Sequence, residues 1–470
     1  MRNLWVAVIQ LHHTCQLRNA TLRVGRYCTY MGCKMNIDEW MKIAKYRGYT
    51  HFDRKLSAKK VWDYISDSNK IKRHGFYPFI RYTITIRKYS RTRGRTTKKR
   101  VVCYSAHKDR YIYQYYSYLL NNEYNKRAQN GDLNCCAIAY RNNLGKNNID
   151  FAKAAFDKVK RLGSCYIIIG DFTGFFDNLD HQYLKTRICD LLQVEKLPDD
   201  YYAVFKNITK FSCWDLSDLL KENGLPNTSY GMRQFNKRDI ALSLAKFKTL
   251  KSKQIKPNKN SFGIPQGSAI SAVLSNIYML EFDAKMNTYV SPNNGLYMRY
   301  SDDFIIVVPK NGDESFVKDY ETIMTIINET PSIELEPSKT KLFEFDAGSI
   351  SSLEIQDNTV FRSEKKQRID YLGFSFDGNI VSIRDKTISK YYNKLNRNIR
   401  KIVNNEYDTE TKRIIKCIRL YKKFGLQGGN SKNRNFLTYV GRAESRFGPK
   451  ERVNLVKKRH IQKIRKKMRI

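Results

Sequence analysis

Two short, continuous apolar runs stand out in an otherwise polar chain: Tyr166 to Ile169 and Phe304 to Val308. Runs of four to eight such residues, bounded by turn-forming residues, read as buried strands. A different pattern precedes them. Residues 76–86 alternate apolar and polar positions, as does the shorter stretch Arg100-Val101-Val102-Cys103-Tyr104. These predict a β-hairpin. Its tip would carry Arg87, Lys88, Arg91, Arg93, Arg95, Lys98, Lys99 and Arg100. Tyr111 to Leu120 predicts a helix with Tyr113, Tyr116 and Leu120 facing the core. Residues 182–260 read as mostly helical, with a Lys-rich loop holding Lys246, Lys248, Lys251, Lys253, Lys256 and Lys259. Ile270, Val273, Leu274 and Ile277 follow at helical spacing. Residues 370–379 predict a hairpin with an Asp-Gly turn. Near the C-terminus, Ile388, Tyr392, Leu395, Ile399 and Ile402 form an apolar stripe beside a cationic one of Lys390, Lys394, Arg397 and Lys401. Residues 452–470, with nine Lys and Arg, read as a solvated or RNA-contacting tail.

Composition narrows the class. The 470 residues carry 86 Lys and Arg against 45 Asp and Glu, a net charge of +41. The natural partners are polyanions, through phosphate contacts and counterion release. No apolar run reaches membrane-spanning length. The ten cysteines form no CxxC pair, so reduced cytoplasmic thiols are expected. His12, His13, Cys15, Cys28 and Cys33 match no standard zinc spacing. Residues 1–34 hold five basic residues and no acid, and read as a leader or extension without a signal-peptide pattern.

Chemistry enters at Tyr300-Ser301-Asp302-Asp303, just ahead of the second apolar run. Adjacent carboxylates at a strand start are costly unless a cation neutralises them, and a hard divalent ion takes oxygen ligands. Asp171, at the end of the first apolar run, supplies a third carboxylate. If the two strands lie side by side, Asp171, Asp302 and Asp303 cluster. Two ions about 3.5–4 Å apart would then activate a hydroxyl and stabilise a leaving phosphate. Asp302 reads as the firmer ligand with Asp171; direct contact by Asp303 is the point to test. Asp177 and Asp180 read as helix caps. Phe176 reads as core or as the floor of a sugar pocket. The turn Gly263 to Ser268 lets backbone approach a ligand closely, with Gln266 and Gly267 as nucleotide contacts. Lys99, Arg100 and Arg110 are candidates for gripping a triphosphate, because guanidinium forks match phosphate oxygens.

Taken in order, these pieces resemble the reverse transcriptases. Gly170-Asp171 with Phe175-Phe176-Asp177, Gly263-Ile264-Pro265-Gln266-Gly267 through Leu274-Ser275-Asn276, and Tyr300-Ser301-Asp302-Asp303 are similar to successive motifs of that family. Lys339 matches the lysine of the next motif, and Tyr371-Leu372-Gly373-Phe374 the primer-grip hairpin. The resemblance covers about residues 76–380. It implies an α+β right-hand polymerase: fingers over 35–160, a palm with an antiparallel catalytic sheet over 161–385, and a basic helical thumb over 386–470. It also implies Asp171, Asp302 and Asp303 as ligands of two Mg²⁺ ions (Mn²⁺ as the substitute), and Phe176 as the ring excluding a ribose 2′-hydroxyl. Tyr371 and Gly373, with the cationic stripe, become nucleic-acid contacts. RNA template, DNA product and dNTPs are the implied partners, with a homo-oligomer left open. Within the family the pattern is closest to bacterial enzymes related to group II intron types. No endonuclease module follows, and the retron signature is absent. That favours the defence-associated, unknown-group enzymes, which act against phage and use a noncoding RNA. Template-independent or protein-primed synthesis, and a non-catalytic RNA scaffold, are the competing functions.

Overall fold

The computed structural model describes residues 35–90, 94–404, 409–425 and 435–468. The leader reading of residues 1–34 and the zinc reading of their His and Cys lie outside the described residues. The chain forms two compact units. One comprises Met1–Leu119, Leu197–Lys259 and Pro265–Ile270, and the other comprises the remainder.

In the first unit, β1 (Phe79–Ser90) and β2 (Gly94–Tyr104) form a long antiparallel ribbon, in register from Ile80 opposite Tyr104 to Ser90 opposite Gly94. The short strand Ser212–Asp215 adds parallel to β1, and Lys256–Pro257 completes the sheet. The strands are longer than the sequence predicts. Arg87, Lys98, Lys99 and Arg100 lie in the ladder, not at its tip, and their side chains are exposed. Thr83, Ile84, Thr85, Ile86, Thr96 and Thr97 explain this, since β-branched residues suit extended backbone. A ribbon exposed on both faces keeps its cations in water. Phe52, Ile80, Trp214, Leu219, Leu220 and Phe235 pack a core behind its base.

The helix predicted over 111–120 runs twice as far, as α1 (His107–Asn130). The Asp53 carboxylate receives the backbone N–H groups of His107 and Lys108, both at 2.8 Å, which fixes its start. Tyr113, Tyr116 and Leu120 are buried as predicted. The Lys-rich loop is corrected: Leu244–Gln254 is a helix, capped by Ser243 and burying no residue. Lysine is a good helix former, and a wholly solvated helix shows no apolar stripe to read.

The second unit is built on a six-stranded antiparallel sheet. Its strands are β3 (Ser164–Asp171), β4 (Leu296–Tyr300), β5 (Asp303–Pro309), β6 (Lys341–Asp346), β7 (Ser349–Gln356) and β8 (Thr359–Arg362). Their order is β8-β7-β6-β3-β5-β4, so the two apolar runs are neighbours. Cys165, Ile167, Ile305, Val307, Phe343 and Phe345 point to one core, which Phe156 of α2 (Asn148–Leu162) shares. On the opposite face Tyr166 stacks on Phe316 of the helix Asp313–Asn328, with ring centroids 4.1 Å apart.

A three-stranded sheet follows: β9 (Ile369–Tyr371), β10 (Phe374–Phe376) and β11 (Val381–Ile383). It has two turns where the sequence suggests one. Leu372-Gly373, with φ of 46° and 94°, joins the first pair. Asp377-Gly378 belongs to the second, where the Asp377 carboxylate accepts the N–H groups of Asn379 and Ile380. Helices α3 (Asp385–Val403), α4 (Glu410–Phe424), α5 (Phe436–Phe447) and α6 (His460–Met468) bury Leu395, Ile399, Ile402, Leu420, Val440 and Ile464 in the same core. The C-terminal tail is therefore packed, not solvated: Val453, Val456, His460, Ile464 and Met468 are buried. Their spacing, diluted by cations, hides the apolar face.

Candidate active site

Asp171 ends β3 and Asp303 starts β5, and the ladder sets them directly opposite each other. Asp302 occupies the β4–β5 turn, its carbonyl accepting the Phe172 N–H at 3.1 Å. The strands approach closely because Gly170 faces Phe304. A Cβ on Gly170 would stand 2.2 Å from the Phe304 ring. Asp171 is buried, Asp302 half-buried and Asp303 exposed. The protein crowds Asp303 nonetheless. That desolvation, with the Asp302 charge and a hydrogen bond to Asp171, pushes its pKa up to about 7.

A loop brings a cation to this cluster. The Glu336 N–H donates to the Asp171 carbonyl at 2.8 Å, and the Lys339 N–H to the Glu336 carbonyl at 2.9 Å. The Lys339 ammonium pairs with the Asp171 carboxylate. The donor set, three carboxylates crowded enough to raise one pKa, fits a hard divalent cation. Among the described residues no group of three or more His, Cys, Asp or Glu side chains is placed to hold a metal ion as the side chains stand. Lys339 stands against the inner carboxylate.

The rear of the turn is built differently. Ser301 adopts φ of 63°, a left-handed conformation. Arg299, wholly buried, holds it by donating to the Ser301 carbonyl at 2.9 Å. The same guanidinium grips Asp283 with two bonds, 2.8 and 2.6 Å, and the Tyr297 hydroxyl adds a third at 2.7 Å. Burial opposes the Arg299 charge, but Asp283 outweighs it and holds the guanidinium ionised. Sequence reading missed both residues. A lone arginine within an apolar strand is the available sign, since it must find a buried partner. Asp283, sixteen positions away on the helix Leu280–Val290, carries no such mark.

The remaining candidates divide. Phe176 is half-buried on the short helix Phe175–Asn178, its ring 5.4 Å from that of Phe175. Its carbonyl accepts the Ile264 N–H at 2.9 Å. Asp180 is the cap foreseen, accepting from the Tyr183 N–H at 2.7 Å; Asp177 lies inside the short helix and is not one. Tyr371, Leu372 and Gly373 line a cavity of about 340 Å³ together with Tyr300 and Asp303. The ring of Tyr371 is buried.

Lys99, Arg100, Arg110, Gln266 and Gly267 belong to the first unit. The Gln266 carbonyl accepts the Cys103 N–H at 2.8 Å. Gly267, at φ of 105°, approaches β2 so closely that a Cβ would lie 2.5 Å from the Cys103 oxygen. Lys99 and Arg100 are exposed. Arg110 is a correction: it is buried, bonded to the Lys45 carbonyl and to Gln114, and lies over the Tyr111 ring. It braces a helix and is not presented to a solvent-borne phosphate.

Lys390, Lys394, Arg397 and Lys401 are exposed along α3. Arg397 and Lys401 also line a cleft of about 770 Å³ with Arg400, Lys416, Arg419 and Lys423. None of the described residues lining it is acidic.

The antiparallel sheet with its flanking helices is consistent with a right-hand polymerase fold. Residues 133–376 match the family model described as reverse transcriptase (RNA-dependent DNA polymerase), and the chain belongs to that family of nucleotidyltransferases. Members of the family use divalent metal ions. A search among curated proteins finds no sequence match. Solved structures similar to the chain include apo telomerase from Candida tropicalis truncated from its C-terminal domain: 13% identity, TM-score 0.37, covering 70% of this chain and 61% of that one. Telomerase from Candida albicans in complex with a TWJ fragment of telomeric RNA gives 13% identity and TM-score 0.38, covering 85% and 62%. The chain thus spans about three-fifths of these two telomerases. Among the described residues no helix is long and apolar enough to cross a membrane.

Proposed function

We propose that the protein is an RNA-directed DNA polymerase whose reaction centre is Asp171, Asp302 and Asp303. The observation that carries this is the cross-strand pairing of Asp171 with Asp303 beside Asp302, with Lys339 on the inner carboxylate. Asp171, Asp302 and Asp303 would hold Mg²⁺, with Mn²⁺ as its substitute. The bound ions supply Lewis acidity and charge neutralisation for nucleotidyl transfer. The chain's own residues do the rest. Asp302 and Asp303 present their carboxylates from a turn fixed by Arg299. Lys339 places a positive charge at the inner side of the cluster, where charge develops on phosphate. Phe176 reads as the ring that rejects a ribose 2′-hydroxyl. Lys99, Arg100, Gln266 and Gly267 read as contacts for the incoming dNTP, and the Leu372-Gly373 turn, with Tyr371, as a support for the primer end.

The exposed cations of α3 suit tracking of a phosphate backbone without sequence preference. In this reading residues 35–160 act as fingers, 161–385 as palm with upper finger segments, and 386–470 as thumb. The finer assignment is to the bacterial, defence-associated members of the family, acting against phage with an associated noncoding RNA as template or scaffold. It rests on the motif resemblance alone.

Primer extension with dNTPs on RNA templates tests the reading, with Asp302→Ala as control. Extension by the wild type and none by the variant is expected. No extension on any template, the co-purifying RNA included, overturns it. Sequencing RNA and cDNA bound to the protein tests the finer assignment. Phe176→Ala should admit ribonucleotides; an unchanged preference for dNTPs removes the gate role.

A further inference from the structure

Tyr140 is the one aromatic residue in the left-handed region among the described residues, at φ of 61°. For a bulky side chain this conformation is a true outlier, held only where the surroundings over-determine it. Here they do. Arg299 receives and gives backbone hydrogen bonds with the segment just before it: Arg299 N–H to Cys136 at 2.7 Å, and Ile138 N–H to Arg299 at 3.0 Å. Asn276 donates to the Ala139 carbonyl at 2.9 Å. Just after it, buried Arg141 bonds Asn125, Asn134 and the Ala137 carbonyl. The backbone on both sides is locked, and the strain falls on Tyr140.

That strain does not bury the ring. Tyr140 is 45% exposed, although most large aromatics of this unit are interior. Its hydroxyl donates to the Ser301 hydroxyl at 3.2 Å, in the turn that carries Asp302. Its ring lies 6.5 Å from that of Tyr300. A fixed, half-open aromatic face therefore stands beside the catalytic turn. Core packing would not leave it exposed, and the backbone bonded on both sides fixes where the ring stands.

We propose that Tyr140 contacts the terminal nucleotide of the strand being extended, its ring serving as a stacking surface next to the catalytic turn. The inference rests on the polymerase reading given above. Every base has a π-face, so such a contact tolerates sequence and holds the end by shape.

The full chain, on an RNA template with a DNA primer, provides the test. KM for primer–template and kcat are measured for the wild type, Tyr140→Phe, Tyr140→Gly and, as a control, Tyr46→Ala, an exposed tyrosine of the first unit. Glycine suits the left-handed backbone, so Tyr140→Gly removes the ring while relieving the strain. It should raise KM for primer–template about ten-fold, with kcat nearly unchanged. Tyr140→Phe, which keeps the ring and loses the Ser301 bond, should raise it about two- to three-fold. Tyr46→Ala should behave as the wild type. Wild-type KM in Tyr140→Gly overturns the proposal. So does a loss confined to kcat in Tyr140→Phe, which would make the hydroxyl a brace for Ser301. A DNA–protein covalent product that disappears in Tyr140→Phe also overturns it, making Tyr140 a priming nucleophile. A wild type that extends nothing takes the polymerase reading down together with this one; extension with an indifferent Tyr140→Gly removes this one alone.

Discussion

The front and the back of the β4–β5 hairpin treat carboxylates in opposite ways. At the front, Asp171, Asp302 and Asp303 crowd one another, and the Asp303 pKa rises to about 7 in consequence. At the back, Asp283 is fully buried yet satisfied by two bonds from Arg299 and one from Tyr297. The front is left in need of positive charge; the back has all it can use. Removing a front carboxylate should therefore relieve the fold and end the chemistry, whereas removing a back partner should unsettle the fold first.

The sharpest way to break this contrast is at Asp302. Asp302→Ala should lower primer extension on the order of 10³-fold or more, without lowering the unfolding midpoint in urea. A variant that unfolds early would show that the front is structural. Next in size, Arg299→Met leaves Asp283 buried without its partner and should cost about 3–5 kcal/mol of stability by urea unfolding. Pairing it with Asp283→Leu should recover most of that loss; an additive double variant would deny the coupling. Between front and back lies Gly170. Gly170→Ala forces a Cβ into the Phe304 ring and should cost about 1–3 kcal/mol, read as a lowered unfolding midpoint.

The smallest effect concerns a third way of burying a polar group, which is to keep it neutral. His51 is fully buried, and desolvation lowers its pKa to about 3. Its ring bonds the Tyr104 carbonyl at 3.2 Å and accepts the Phe52 N–H at 2.9 Å. The unfolded chain binds a proton near pH 6.5 that the folded chain refuses, so stability present above pH 6.5 drains away as pH falls toward 3. Between pH 7 and pH 5.5 the His51 contribution should fall by about 1 kcal/mol, read as the difference between the urea-unfolding profiles of the wild type and His51→Gln across that window.

What the sequence discloses follows the same division. Tyr166–Ile169 and Phe304–Val308 were legible as strands because both faces are buried and every position is apolar. Asp171, Asp302 and Asp303 were legible as a cluster because each lies at the end of such a run. The β1–β2 ribbon was cut short, since Arg87, Lys98, Lys99 and Arg100 look like loop until two exposed faces give them water. The helix Leu244–Gln254 was hidden for a related reason: with nothing buried, it has no stripe. Arg299–Asp283 could not be paired by reading along the chain. That contact spans a helix and a strand, and only the packed unit selects it.

The central place of β3 has a cost in time. It pairs with residues 303–309 on one side and 341–346 on the other. Both partners are made long after it. At ordinary rates of synthesis the ribosome needs on the order of 10–30 s to pass from Asp171 to Asp346. Until residue 309 is made Tyr166 to Ile169 has neither sheet neighbour, and until residue 346 it has only one, so a free backbone edge can pair with any strand that arrives. Newly made chains should therefore be most prone to aggregate before residue 346 emerges, and to depend on chaperones until it does.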